Sequence, residues 1–600
     1  MKLKKKITEW FQGLEVGRHF LEDLRPHALQ YGLALAFSGV VIGFELARPL
    51  PIKWIIDDAL VPLMNGAEAT EAKRFTPGQV IWAGAIGAVL IACLRALFQY
   101  LREIGMAQVS HQMTRGLRFR IFKHLSRLSP LFHARHKSGD LLVRMMGDVP
   151  MVSGMMVSSS IELLMRSLFV IGTISMMLYF DWYLTLIVLS TLPIVFGLVR
   201  WISKEIHVAV RKQRRKEGDL ADYLHEAIAA TETIQSLGGE DQVVRRFARS
   251  NRRSARAGLK ATKLAAKLSG SVESLLGLAL GLTLLLGAFR VGPEGMSVGD
   301  LTVFLSLVRN LLKPIRSASR HATKIAKGTA CGERILVILN EEPEIKSDPG
   351  APPAPEKPRT LSFEDVSFRY EESKTALDIF SVHFKRGELA ALVGRSGAGK
   401  STAASLAMRL MDPTQGKVLL DGKDLRTFDV DSVRDRVALS LQRSSLFGES
   451  IRENMLLGAP ESSDEDIWRA LEAADAREFV ESMPDGLDSE LGSSGAGLSG
   501  GQESRLALAR TLLRSATVLI VDEPFAGLDR IASKHVSNTL HELAKERIVV
   551  VIAHDLERLD YYDTICFMDQ GKKIAQGTHT ELLDTLPLYR EVVRSTAEVS

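Results

Sequence analysis

The 600-residue chain is several times the length of a single domain, so at least two domains are expected. A hydrophobic share of 46% and a mean hydropathy of +0.06 are too apolar for an ordinary soluble enzyme and too polar for a chain buried wholly in lipid; the 24% of charged residues argues against disorder. The net charge of +5 is too small at this length to imply nucleic acid, and Cys93, Cys331 and Cys566 lie too far apart for a disulfide framework or a CxxC zinc site.

A membrane half joined to a soluble half fits these numbers. The basic start Met1-Lys2-Leu3-Lys4-Lys5-Lys6 lacks the apolar segment and small-residue cleavage site of a signal peptide. Ile7, Trp10, Phe11, Leu14, Leu21 and Leu24 recur at near-helical spacing and predict an amphipathic helix lying in the membrane interface. Five uncharged apolar runs follow, at 28–44, 78–94, 167–180, 182–199 and 274–289. Each is about as long as, or shorter than, the ~20 residues that cross a hydrocarbon core. Glu162, Arg166 and Glu273 extend their ends, where charges usually face a bundle interior or a watery cavity.

The segments 102–144 and 200–267 are rich in Arg and Lys, which places them and the N-terminus in the cytoplasm. The same basic runs could suggest nucleic acid, but their position between spans favours topology. A sixth crossing is expected at 301–325, because the ATP site read downstream must return to the cytosol. Its cations Arg309, Lys313, Arg316, Arg320, Lys324 and Lys327 fall within about 80° of one helix face. With Arg166 and Glu162, Arg309 and Lys313 are candidate lining of a cavity for an anionic substrate. The plainer alternative is that these cations lie below the bilayer, solvated or paired.

The Pro-rich stretch 346–360 reads as a stiff linker between a membrane domain (1–345) and an α/β domain (361–600). In the latter, 389–394 and 518–522 read as buried parallel strands. The first runs into Gly394-Arg395-Ser396-Gly397-Ala398-Gly399-Lys400-Ser401, with Thr402 next, a match to G-x-x-x-x-G-K-[ST]. Such a loop curls backbone N–H groups around phosphates, Lys400 neutralises them, and the Ser401 hydroxyl suits Mg²⁺. The second ends in Asp522, a candidate Mg²⁺ ligand, and Glu523, a candidate base for the attacking water.

With Leu498-Ser499-Gly500-Gly501-Gln502 added to these motifs, the whole chain resembles the ATP-binding cassette (ABC) transporters, as an exporter-type half-transporter. The resemblance implies an all-α six-span membrane domain followed by a P-loop NTPase domain. It also implies Tyr370 stacking on adenine, Gln442 sensing Mg²⁺ and contacting the membrane domain, Asp529 in a loop at the dimer interface, and His554 at the γ-phosphate. Two ATP molecules would lie between two cassettes, each phosphate loop facing residues 498–502 of the other chain. The segments 128–144 and 219–237 resemble intracellular loops whose tips dock on the cassettes near Gln442. Ser493, where exporters usually carry Glu, Pro524-Phe525-Ala526-Gly527 and Asp555 depart from the commoner exporter pattern. The implied function is ATP-driven export or flipping by a homodimer in the cell membrane. A heterodimer, an ATP-gated channel or regulator, and an importer built on an exporter-type fold are the alternatives.

Overall fold

The computed structural model describes residues 16–64, 75–292, 295–371, 374–441, 445–492, 497–553 and 559–597. The chain divides into two compact units. One runs up to Phe122 and resumes over Leu142–Leu339; the other joins Lys123–Leu141 to the chain from Asn340 onward.

The first unit is helical. Its long helices are α1 (Ala28–Ala47), α2 (Pro77–Leu125), α3 (Ser160–Phe180), α4 (Trp182–Ala229), α5 (Glu240–Ala288) and α6 (Val298–Leu339). Among the described residues, five helical stretches are long and apolar enough to cross a membrane: Val16–Met64, Pro77–Leu125, Ser138–Phe180, Trp182–Ala229 and Glu240–Ala288. On α2, Trp82, Ile86 and Val89 are exposed, the inverse of a soluble helix and the pattern of a lipid-facing surface. The segment 301–325, expected as a sixth crossing, lies within α6, one continuous helix of 42 residues that is not among these five. Its first turns bury Val303, Phe304, Leu307 and Leu311 in a cluster with Met177 of α3 and Leu184 of α4.

Asp181 shows how one residue organises a helical turn. Its extended backbone (φ −159°) ends α3, and its Oδ1 accepts the Leu184 N–H at 2.8 Å, which starts α4. Its Oδ2 takes Arg290 Nε at 2.7 Å, so the same carboxylate pins the turn between α5 and α6. Of the expected interfacial helix, residues 7–14 lie outside the described residues; in the part described, Leu21 is exposed whereas Val16, Phe20 and Leu24 are buried. A Cβ on Gly332 of α6 would stand 2.6 Å from Val16 and 3.1 Å from Phe20, so the missing side chain creates the seat for this helix.

The second unit is α/β. A four-stranded sheet has the order β2 (Lys374–Lys385), β1 (Thr360–Glu371), β4 (Gln415–Leu420), β5 (Lys423–Asp424). A six-stranded sheet has the order β10 (Lys572–Gly577), β9 (Thr564–Asp569), β3 (Leu389–Gly394), β8 (Ile548–Ala553), β7 (Val518–Asp522), β6 (Val437–Ser440). From β9 to β6 the pairs are parallel, and β7 and β8 are buried along their whole length. Continuous apolar runs such as Ile548-Val549-Val550-Val551 are what two covered faces require.

The Pro-rich segment is not a free spacer. Ala354 is buried in the cassette core, and its N–H bonds Ser432 Oγ at 2.9 Å. Ser347 Oγ donates to Asp429 Oδ1 at 2.8 Å and accepts from Val430 N at 2.9 Å. Arg409, itself buried, reaches the Lys346 carbonyl at 3.2 Å and the Phe428 carbonyl at 2.9 Å. The loop Lys123–Leu141 is also built into this unit. Its short helix Pro130–Arg135 is capped by Ser129, whose Oγ donates to Glu344 Oε2 at 2.9 Å, and Leu131 packs on the cassette core.

Arg409→Ala removes a buried cation that ties this strap down. Thermal unfolding of the full-length protein should show a loss of about 3 kcal/mol, because charged hydrogen bonds contribute ~1.5–3 kcal/mol each and two carbonyls lose their donor. An unchanged melting temperature would show that the strap is held elsewhere.

Candidate nucleotide site and membrane cavity

The phosphate loop joins β3 to α7 (Lys400–Ala407). Its glycines have separate reasons. A Cβ at Gly394 would stand 2.2 Å from the Met568 carbonyl oxygen; at Gly399, where φ is +98°, it would meet the Ala376 oxygen at 2.5 Å. Lys400 is buried, and its Nζ donates to the carbonyls of Gly394 at 2.6 Å and Arg395 at 3.2 Å. The side chain thus folds back across the loop from Gly394 to Lys400 that Arg395, Ser396, Gly397 and Ala398 complete. Burial pushes the Lys400 ammonium below its ordinary range, against the pull of Asp522 and Glu523. A buried cation held by neutral carbonyls is a ready partner for phosphate oxygens.

Ser401 Oγ donates to Asp522 Oδ2 at 3.1 Å. Residues 121 positions apart thereby bring two hard oxygen donors together. Among the described residues there is no cluster of three or more His, Cys, Asp or Glu that could hold a metal. Two protein oxygens suit Mg²⁺, which takes its other ligands from phosphate and water. Glu523 follows at once with φ +53°, a left-handed conformation that is strained for a glutamate. Its N–H bonds the Ile552 carbonyl of β8 at 3.0 Å, which locks that turn to the next strand. His554 directly follows β8, and Gln442 follows β6 by two residues; both lie outside the described residues. Tyr370 ends near α7, its hydroxyl 3.1 Å from Thr402 Oγ1 and its ring edge-on to Phe368.

Ser499 caps α8 (Gly500–Leu513) in a reciprocal box. Its Oγ accepts the Gln502 N–H at 3.3 Å, and its own N–H donates to Gln502 Oε1 at 2.9 Å. Leu498 anchors the motif in the cassette core. A Cβ on Gly501 would stand 2.6 Å from the Gly527 oxygen, so this glycine lets the loop 526–529 lie against the start of α8. At the end of that loop Asp529 caps α9 (Arg530–Ala544), accepting the N–H groups of Ala532 and Ile531, each at 2.8 Å. Those N–H groups hold its carboxyl below the ordinary carboxylate range.

The helical unit contains a cavity of about 250 Å³ lined by residues of α1, α2, α3 and α6. Arg166 and Glu162 line it and form an ion pair; Arg102 approaches Glu162 at 3.9 Å. Glu45 and Arg95 form a second pair at 2.8 Å. Asn310 lines the cavity, whereas its neighbour Arg309 is exposed and does not; the Lys313 side chain lies outside the described residues. Glu45, Arg95, Arg102 and Gln99 were not singled out from sequence. The signal existed: Glu45 and Arg95 are the residues at which two uncharged runs stop.

The sequence model of the ABC transporter transmembrane region matches residues 33–315, and that described as ABC transporter matches residues 377–526. An ATP-dependent lipid A-core flippase of Nitrosococcus oceani is 31% identical over 95% of this chain and 94% of its own length. A Bacillus subtilis protein bearing the name of a multidrug export ATP-binding/permease protein is 29% identical over 96% of this chain and 98% of its own. The solved structure of a bacterial Atm1-family ABC exporter with ATP bound superposes with a TM-score of 0.77 at 25% identity, covering 96% of this chain and 98% of that one. The chain therefore belongs to the ATP-binding cassette transporters, as a membrane-embedded exporter-type protein that couples ATP hydrolysis to movement of a substrate.

Proposed function

We propose that two copies of the chain close on two ATP molecules and drive an amphipathic, acid-bearing substrate across the membrane. The reading assigns residues 1–345 to the membrane domain and 361–600 to the cassette, with the cassettes and N-terminus in the cytoplasm. One observation carries the nucleotide site: the loop after β3 and the end of β7 meet at the Ser401–Asp522 hydrogen bond, beside the buried Lys400.

In this reading the N–H groups from Gly394 to Thr402 hold the phosphates, Lys400 leaves its carbonyls for phosphate oxygens, and Tyr370 lies under adenine. Ser401 and Asp522 would hold Mg²⁺, with Gln442 assigned to sense it, and the ion would supply neutralisation of the phosphate charge. Glu523 orients the attacking water and accepts its proton, and His554 donates to the γ-phosphate. Ser499, Gly500 and Gly501 of the second copy present the first turn of α8 to that phosphate, with Leu498 and Gln502 fixing the turn and Asp529 shaping the interface. Hydrolysis removes the γ-phosphate contact, so the sandwich opens.

The cargo assignment rests on the cavity. Three arginines line it beside Met165, Phe169, Val41 and Ile42, Arg95 paired with Glu45, Arg166 with Glu162, and Arg102 lying between Glu103 at 3.5 Å and Glu162 at 3.9 Å, so positive charge is gathered there. An acidic headgroup satisfies that charge while apolar walls take its tail. A relative named as a lipid A-core flippase is compatible with such a cargo.

Three measurements test this. Glu523→Gln should retain ATP binding and lower turnover by about 100-fold or more; hydrolysis near the parent rate would remove Glu523 from its role. Lys400→Ala should weaken nucleotide affinity by at least about tenfold, read by titration with a fluorescent ATP analogue; unchanged affinity would refute the phosphate-loop assignment. Arg95→Ala combined with Arg166→Ala should reduce stimulation of ATPase by an acidic lipid at least about tenfold in half-maximal concentration, with the KM for ATP unmoved. Equal stimulation in parent and variant would place the cargo site elsewhere.

A further inference from the structure

The long basic segments carry their exposed charges as two stripes on one helical hairpin. α4 and α5 pack antiparallel. Lys267 lies over the Trp201 ring at 6.0 Å, Gly258 faces Gln213, and Arg246 stacks on Tyr223, whose hydroxyl bonds the Val243 carbonyl. These contacts set residue 201 opposite 267 and residue 223 opposite 243–246.

Both helices put small or apolar residues between them: Ile202 and Ala209 on α4, Ser254 and Ala261 on α5 are buried. On the other side of α5, Arg252, Arg256, Lys260, Lys263 and Lys267 are all exposed and fall within about 80° of arc. On α4, Trp201, Lys204, Arg211 and Arg215 are exposed and share an arc of the same width. The Lys267–Trp201 contact joins the two stripes at the end where the helices approach their apolar runs. From 245 to 267 the sequence has nine cations and no Asp or Glu.

The position of this face along the helices decides its partner. The uncharged run of α4 ends at residue 199, which the Lys267–Trp201 contact sets level with about residue 269 of α5; the uncharged run of α5 begins further in, at 274, after Glu273. At 1.5 Å per residue, Lys267, Lys263 and Lys260 lie within about 14 Å of that level, and Trp201 and Lys204 within about 8 Å. That is the headgroup layer, where an anionic surface attracts Lys and Arg and the attraction decays over a Debye length. Trp201 is 59% exposed, a large aromatic left open beside the cations. An exposed Trp at the foot of an apolar run is an interfacial anchor; a purely aqueous basic surface has no use for one.

We propose that Trp201, Lys204, Lys260, Lys263 and Lys267 form a docking face for acidic phospholipid headgroups of the surrounding bilayer, distinct from the cargo cavity. The ammonium groups take the phosphates, their stems lie along the acyl boundary, and the indole fixes the depth. The proposal rests on the membrane placement given above, but not on the identity of the cargo.

The test uses the full-length protein in nanodiscs of phosphatidylcholine containing about a third phosphatidylglycerol, a fraction that gives a strongly negative surface. Quenching of Trp201, taken as parent minus Trp201→Phe, is compared for brominated phosphatidylglycerol and brominated phosphatidylcholine at equal mole fraction. The acidic lipid should quench several-fold more effectively. Lys260→Gln, Lys263→Gln and Lys267→Gln together should erase that preference, and the corresponding triple Lys→Arg variant should keep it. In the parent, about 1 M salt should also abolish it, a readout needing no variant. Equal quenching by the two lipids, a preference that survives salt or the Gln variant, or loss in the Arg variant would overturn the proposal. If Trp201 answers to acrylamide but to neither brominated lipid, the face meets water, and a soluble polyanion becomes its partner instead.

Discussion

Binding a triphosphate poses one constraint above the rest: several negative charges must be met by donors without admitting bulk water. The cassette answers with strand order. β3, β8 and β7 lie side by side and parallel, so their C-terminal ends open at one sheet edge. The glycine loop, the end of β8 and the Asp522–Glu523 pair thereby share a neighbourhood although 394 and 522 are far apart in sequence. The Ser401–Asp522 bond is the direct sign of that convergence. Much of the cassette's burial serves it, since β7 and β8 are covered on both faces and hold those ends in place.

Strain and missing side chains concentrate where the constraint is tightest. Glu523 keeps a positive φ because its N–H is tied to Ile552; Gly399 accepts φ +98° because a Cβ would strike the Ala376 carbonyl. The Ser499–Gln502 box has a related effect at a distance. It consumes the serine hydroxyl and the Gln502 N–H inside one chain, so the remaining first-turn N–H groups of α8 are fixed in direction before any partner arrives. Gly501 then couples this turn to the Gly527 loop by allowing the backbones to touch.

The nucleotide site was legible in sequence because phosphate binding needs contiguous backbone, and contiguous backbone writes motifs. The cavity was far less legible. Its charged residues come from separate helices, and Glu45 and Arg95 look like the ends of apolar runs until the helices carry past them: α1 continues to Ala47 and α2 to Leu125. Arg309 attracted attention by periodicity, but a helical phase of one residue puts Asn310 at the cavity in its place. The strap at 346–360 reads as stiff from its prolines, whereas its anchoring depends on Arg409 and Asp429, which no local pattern connects to it.

The same side chain serves three purposes according to how much water it keeps. Arg409 is almost fully desolvated, and two carbonyls together with the Asp412 carboxylate at 3.3 Å satisfy it, so it acts as a structural tie. Arg95 and Arg166 are half-desolvated within the helical unit and carry carboxylate partners, which lowers the cost of placing charge there while leaving part of each guanidinium open to the cavity. Between residues 252 and 267 of α5 the sequence has no Asp or Glu, and Arg252, Arg256, Lys260, Lys263 and Lys267 stay exposed. Their mutual repulsion is relieved only by salt or by an anionic surface, so an acidic leaflet beside Lys260, Lys263 and Lys267 would stabilise this hairpin as well as bind to it. Charge in this protein is therefore sorted by solvation: desolvated and tied in the cassette, paired in the cavity, and left open to solvent along α5.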